Sequence, residues 1–310
     1  MYKTTLYIFS LLFTMLSLTV TGGNGDIKYK AGEGLWIDME RFFVTSLPGE
    51  TVTIKLKSEN NSPVTAEAEF GPVTMVQPGK WQFTAPRKSG NYEIVFTNTV
   101  SKNRFTLVLF VLVPSGNMKG AYLNGYKIGT YPDKLLKGNK IYKKPEGFIE
   151  VTNDNKNIYI TPHFRLKQFL CKQQSGWPKY LIIQPKLLIK LEYLLSALNK
   201  DGRDIKTLFI MSGYRTPSYN KSLGNVKFSR HMYGDAADVY VDENHDDVID
   251  DLNNDGNHDM KDALLIWKII NSFDNDPRFA TLIGGMGKYK KNARHTYFIH
   301  VDTRGYRARW

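Results

Sequence analysis

The chain has one cysteine, Cys171, in 310 residues. An internal disulfide is therefore excluded, and stability must come from core burial and bound ions. Cys171 follows Phe169-Leu170, an apolar context that predicts a buried small residue. Acid is also scarce: 30 Asp and Glu against 42 Lys and Arg give a formal charge of +12. Such a balance suits an anionic polymer. There is no low-complexity tract, and beyond the first 20 or so residues no segment reads as membrane-spanning. The length is too great for one ordinary core, so two folded domains are the natural expectation.

The N-terminus reads as a leader. Met1-Tyr2-Lys3 is a short cationic start, Leu6 to Val20 is uncharged and largely apolar, and small residues follow. This predicts a secretory signal peptide over residues 1–22, cut near Gly22. The alternative is an uncleaved anchor, but the run is shorter than the about 20 residues a bilayer span requires. No cysteine follows to accept a lipid. Export argues against nucleic acid as the partner and toward the cell envelope or periplasm.

Residues 26–114 read as all-β. Thr51 to Leu56 alternates at period two, Trp81-Gln82-Phe83 precedes a Pro86 to Gly90 turn, and Tyr92 to Phe96 and Phe105 to Val113 follow. Short strands divided by Pro, Gly and Asn predict an immunoglobulin-like β-sandwich with no catalytic residues, a spacer or docking module. Pro114-Ser115-Gly116-Asn117 marks a boundary. Residues 115–160, rich in Gly, Tyr, Lys and Pro, read as a connector of short strands and turns. Beyond it, Pro185 to Asn199 carries leucines at helical spacing with proline in the first turn. Leu208 to Met211 reads as a buried strand, Ala263 to Ile270 as a helix and Tyr297 to Asp302 as the closing strand. Residues 161–310 are thus predicted to form an α+β domain.

The chemistry gathers in Ser229-Arg230-His231-Met232-Tyr233-Gly234-Asp235-Ala236-Ala237-Asp238 and in Phe298-Ile299-His300-Val301-Asp302. Two imidazoles and one carboxylate, His231, Asp238 and His300, make a catalytic zinc set with a fourth position open for water. The small residues between the first two let backbone approach closely. Phe298, His300 and Asp302 share one strand face, directed at the metal. On spacing alone a lone histidine is more often a satisfied structural residue than a ligand.

Together, Ser212-Gly213-Tyr214-Arg215-Thr216-Pro217, the Ser229-x-His231-x-x-Gly234-x-Ala236-x-Asp238 pattern and His300-Val301-Asp302 resemble the zinc D-alanyl-D-alanine carboxypeptidase family (peptidase M15-like) and its wider superfamily. The ending Gly305-Tyr306-Arg307-Ala308-Arg309-Trp310 resembles its exported peptidoglycan peptidases. The likeness covers about residues 161–310 and not the sandwich. It implies zinc on His231, Asp238 and His300, and Arg215 on a substrate carboxylate or carbonyl, for which a planar guanidinium is suited. Ser229 would bond near the site or cap a turn. Many relatives place a basic His or Glu where this chain has Phe298 or Tyr297. Asp302 or His295 would have to replace it; alternatively Asp302 would orient His300, and His295 is more often only a neighbour in such a position.

Asp251, Asn253, Asp255, Asn257, Asp259 and Asp262 fit a twelve-residue calcium loop with Gly256 at its sixth position. This stretch resembles the loop of dockerin modules. Asp242, Asn244, Asp246 and Asp250 repeat the spacing more weakly, with Asp247 in the glycine position. The insert, residues 242–262, holds nine acids and one lysine, which would repel without a cation. The whole predicts a zinc metallopeptidase hydrolysing peptidoglycan stem peptides or cross-links, as a D,D- or L,D-carboxypeptidase or endopeptidase. The alternative is a catalytically inactive wall-binding or envelope assembly protein.

Overall fold

The computed structural model describes residues 26–30 and 35–310. The leader expected over 1–22 lies outside the described residues. Among those described, no helix is long and apolar enough to cross a membrane.

Nine strands come first: β1 (Ile27–Lys30), β2 (Trp36–Ile37), β3 (Arg41–Ser46), β4 (Thr51–Ser58), β5 (Val64–Ala68), β6 (Thr74–Gln77), β7 (Lys80–Thr84), β8 (Gly90–Asn98) and β9 (Arg104–Val111). They form two sheets, ordered β2-β1-β4-β7-β6 and β3-β9-β8-β5. Period-two alternation sets their facing sides. On β4, Ile54 and Leu56 are buried while Thr53, Lys55 and Lys57 are exposed. Aromatic contacts join the sheets: Tyr29 packs on Phe105 with centroids 5.6 Å apart, and Trp81 on Phe96 at 5.4 Å. β9 departs from alternation because it is covered on both sides. Phe105, Leu107 and Leu109 face one way, Val108 and Phe110 the other, and all five are buried.

The segment read as a connector is stitched to both neighbours. β10 (Val113–Pro114) continues from β9 and pairs with β13 (Gly147–Val151), which pairs with β14 (Lys179–Leu181). The hairpin of β11 (Tyr122–Leu123) and β12 (Tyr126–Lys127) lies between them in sequence. One continuous hydrophobic cluster runs from Ile27 to Val301 and includes buried Cys171.

The remaining chain is α+β. Helix α1 spans Pro185–Asn199, as the leucine spacing predicts, with proline in its first turn. Its burial is wider than one stripe: Lys190, Glu192 and Ser196 are buried too. Each charged group meets a partner there. Lys190 Nζ donates to the carbonyls of Leu282 (2.9 Å) and Asp302 (3.2 Å), and Glu192 accepts from the His163 backbone and ring. Burial lowers the Lys190 pKa to about 8.

Five strands form the sheet beside α1: β15 (Phe209–Ser212), β16 (Ala236–Tyr240), β17 (Gly285–Tyr289), β18 (Phe298–Asp302) and β19 (Ala308–Arg309), in the order β15-β16-β18-β17-β19. Two helices complete it, α2 (Pro217–Ser222) and α3 (Met260–Phe273). Two expectations are corrected, and one strand was not foreseen. The strand at 297–302 does not close the fold, because β19 follows and pairs parallel with β17. β17 had no alternating signature, since two of its five residues are glycine. Helix α3 starts at Met260, inside the twelve-residue acidic stretch, where Asp259 and Asp262 form a reciprocal capping box.

Candidate metal centre

Strand register brings the donors together. Asp238 lies in the middle of β16, directly opposite His300 on β18, and cross-strand neighbours project side by side. His231 comes from a short 3₁₀ turn, Arg230–Tyr233, just before β16. Gly234 ends that turn at φ +71°, and a Cβ there would lie 2.4 Å from the Ile182 carbonyl oxygen. Only glycine turns the chain this tightly against its neighbour, which carries His231 over Asp238.

The ligand atoms converge. His300 Nδ1 lies 2.8 Å from Asp238 Oδ1, His231 Nε2 lies 3.2 Å from His300 Nδ1, and His231 Nε2 lies 3.3 Å from Asp238 Oδ1. Among the described residues this is the group of three able to hold a metal ion, and all three members are buried. Tetrahedral zinc bonds of about 2.0–2.2 Å separate donors by roughly 3.3–3.6 Å, close to what these atoms already span. The backs of both rings are held. His231 Nδ1 donates to the Gly213 carbonyl at 2.7 Å, and His300 Nε2 faces Asp302 Oδ2 at 3.3 Å. Outer partners of this kind fix ring orientation and tautomer in histidine metal sites. The residues fit zinc.

The electrostatics agree. Burial alone would oppose charge on His300, yet its bonds to Asp238 and Asp302 outweigh it and raise the pKa to about 9. Burial lowers the pKa of His231. Burial also opposes ionisation of Asp238, but the two imidazoles hold it well below the usual carboxylate range. The carboxylates on either side of His300 thus favour positive charge at the site.

The other residues singled out in the sequence take distinct places. Arg215 Nη2 donates to Asp238 Oδ2 at 2.6 Å, and its Nε to Ser212 Oγ at 2.8 Å. It occupies the second oxygen of Asp238 and leaves Oδ1 to face the imidazoles. Ser229 caps nothing with its side chain and lines the cleft. His295 lines the cleft too. Its Nδ1 lies 2.8 Å from the Thr296 carbonyl and its Nε2 2.7 Å from the Asn292 side-chain amide.

Asp302 lies behind His300, away from the cleft. It is 0% exposed, and both oxygens are engaged. Oδ1 accepts from the Gly285 amide (2.7 Å), and the Arg304 guanidinium grips both oxygens. Burial opposes its charge, but His300 and Arg304 keep it ionised well below the ordinary range. Its geometry is that of an orienting partner.

The cleft above the donors has a volume of 790 Å³. Its wall includes groups that pattern reading missed, among them Tyr289, Arg304, Tyr306 and Trp310. Trp310 packs on His300 with centroids 5.2 Å apart and donates Nε1–H to Tyr289 Oη at 2.9 Å. Its indole fits because residue 287 is glycine; a Cβ there would lie 2.3 Å from Trp310 Nε1. Tyr289 stacks on Phe298 at 4.5 Å.

The acidic insert is a pair of like-shaped loops. Asp251 accepts from the amides of Asp255 and Gly256, and Asp242 accepts from those of Asp246 and Asp247. Asn253 and Asn244 each accept from the residue two on, as do Asp255 and Asp246. Asp247 adopts φ +61°, so the missing glycine does not change the turn. Asp259 caps α3, Asp250 accepts from the Glu243 amide, and the side chain of Asn257 bonds Asp255. Asp262 is directed at the backbone amides of Leu252, Asn253 and Asp259. Lys261 pairs with Asp255 at 2.7 Å.

The Asp302 geometry has a measurable consequence. Asp302→Asn should weaken zinc affinity about 10- to 100-fold, the usual cost of losing such a partner. Chelator competition reads this. Unchanged affinity with turnover lost would return Asp302 to the role of proton acceptor.

Comparison with known proteins agrees with this geometry. No curated protein matches the chain. Residues 162–266 match the family model described as Peptidase M15, a stretch that contains Arg215, His231 and Asp238 and supports a metallopeptidase-type hydrolase, while the third donor, His300, lies beyond it and is added by the β16–β18 register.

Proposed function

We propose that this protein is a zinc-dependent peptidase of bacterial cell-wall peptides, hydrolysing peptidoglycan stem peptides or their cross-links. The observation that carries the reading is the convergence of His231 Nε2, Asp238 Oδ1 and His300 Nδ1 at one point in a 790 Å³ cleft, with the rear of each ring already held. The Peptidase M15 match supports it, since peptidases of that family use zinc and act broadly on peptidoglycan-like substrates. Zinc bound there would polarise a peptide carbonyl and acidify water.

The chain's own groups supply the rest. Arg215 stands at the cleft with 14% of its side chain exposed, so one edge of its guanidinium remains open to a substrate carbonyl or carboxylate while the other holds Asp238. The rings of Tyr289, Phe298 and Trp310 exclude water from one wall. With Asp302 sealed away, His295 takes the proton at Nε2, exchanging the Asn292 amide that holds this atom at 2.7 Å for the attacking water. Stem peptides, with free carboxylates, suit Lys227 and the substrate-facing part of Arg215 at the cleft.

The sandwich is immunoglobulin-like on this reading. Strands β1-β4-β7-β6 opposite β9-β8-β5 follow the ABED and GFC order. The two acidic loops would take calcium and brace the segment that follows β16, and the leader would send the protein to the periplasm or envelope.

Three measurements test the proposal. Digestion of purified muropeptides, followed by mass analysis, should show loss of amino acids or opening of cross-links. His295→Gln should keep zinc and lose about 10²- to 10⁴-fold in turnover, the usual share of a positioned base. A fully active His295→Gln enzyme would remove the histidine from the reaction. Calcium should raise the melting temperature by binding only the folded form, and Asp251→Ala with Asp255→Ala should abolish the rise. No effect of calcium on the parent protein would leave the loops as solvated acidic turns.

A further inference from the structure

The first sheet of the sandwich has an unusual charge distribution. Its five strands, IKYK, WI, TVTIKLKS, TMVQ and KWQFT, contain five lysines and no aspartate, glutamate or arginine. The second sheet is mixed, with Arg41 paired to Glu93. Alternation sends all five lysines to the outer face, since Ile27, Tyr29, Ile54, Leu56 and Trp81 point into the core. Register then sets them against one another. Lys28 lies directly opposite Lys57, and Lys55 directly opposite Lys80. Continuing the β1–β4 register sets Lys30 beside Lys55, with Trp36 opposite Lys30 on the far side. Facing like charges disfavour a sheet. Among the described residues none of the five makes an ion pair or a side-chain hydrogen bond. Two are gathered over one ring, with Lys57 Nζ 4.7 Å and Lys30 Nζ 6.0 Å from the Trp36 centroid. A groove of 530 Å³ runs past Trp36, Lys55, Lys57 and Lys80 and is edged by Met75 and Gln77.

We propose that this face binds a carboxylated glycan polymer and holds the enzyme on it while the cleft works elsewhere on the chain. Charge complementarity selects the occupant. The backbone attachment points of lysines two residues apart on β4 are separated by about 6.8 Å, and adjacent rows by about 4.8 Å, an array whose flexible side chains can meet repeated anions on an extended polymer. Nucleic-acid surfaces combine arginine with open aromatic faces for base stacking. This sheet has no arginine, and its outward indole is already covered by Lys57. That the polymer is a glycan rests on the wall-peptide reading above; that the face selects an anion does not.

The test uses the intact protein and polygalacturonate as probe, with neutral dextran and a single-stranded oligothymidylate beside it, read by equilibrium binding without turnover. A patch variant, Lys28→Gln/Lys55→Gln/Lys57→Gln/Lys80→Gln, is compared with a scattered variant of equal charge, Lys119→Gln/Lys167→Gln/Lys200→Gln/Lys268→Gln, whose lysines are exposed elsewhere. The parent should bind polygalacturonate in a salt-dependent way and ignore dextran. The patch variant should lose about tenfold or more, as expected for several released counterions, and the scattered variant within about twofold. The patch variant should melt no lower than the parent, since facing like charges are removed. Equal losses in both variants, or no loss in the patch variant, would overturn the proposal, as would a lower melting temperature or tighter binding of the oligothymidylate. A protein that binds the polymer but leaves every muropeptide intact would sink the peptidase reading and leave this one standing.

Discussion

A buried chain of charged groups across two neighbouring strands governs this structure. Asp238 and Asp302 both lie out of water, on either side of His300, and each is matched by an arginine: Arg215 for Asp238, Arg304 for Asp302. Buried carboxylates without such partners would be strongly unfavourable. The pairing lets two acids remain ionised against one imidazole, one as donor and one as brace. His231, held from behind by the Gly213 carbonyl, completes the set.

Much of the surrounding fold keeps that chain in place. Lys190 reaches from α1 to the Asp302 carbonyl, so the helix fixes the strand end by a charge-assisted bond in the core. The Gly285 amide meets Asp302 Oδ1, and a Cβ on Gly285 would lie 2.5 Å from Oδ2. Arg304 returns from the loop after β18 to grip the same carboxylate. Arg230, in the turn that carries His231, forms a third buried ion pair with Asp235. These contacts explain why so many charged side chains are buried near one strand without being left unpaired.

Legibility in the sequence followed the range of each interaction. Helix α1 was readable to both ends because leucine spacing and a first-turn proline are local signals. The donors His231, Asp238 and His300 were readable as a set of residue types, but their meeting depends on the Asp238–His300 register, which no local pattern encodes. Strand β17 was hidden because Gly285 and Gly287 are there for close approach and carry no apolar alternation. Asp302 was ambiguous for a similar reason. Its strand face was foreseeable, but its oxygens are claimed by Gly285 and Arg304, and those contacts emerge only in three dimensions. Trp310 stood in a motif resembling exported peptidoglycan peptidases, yet nothing local places its indole against His300. On the sandwich the alternation of Thr51 to Leu56 was readable; the opposition of Lys57 to Lys28 and of Lys55 to Lys80 required the sheet order.

The central claim is that this buried set holds one zinc ion through two imidazoles and one carboxylate. Zinc-edge X-ray absorption on the purified, stoichiometrically loaded protein measures it directly. The expected spectrum has two imidazole nitrogens at about 2.0–2.1 Å and light oxygen donors at about 2.0–2.2 Å, and it is lost together with the metal in the His231→Ala/His300→Ala variant. Stoichiometric zinc retained by that double variant, or a spectrum without imidazole scattering, would contradict the account.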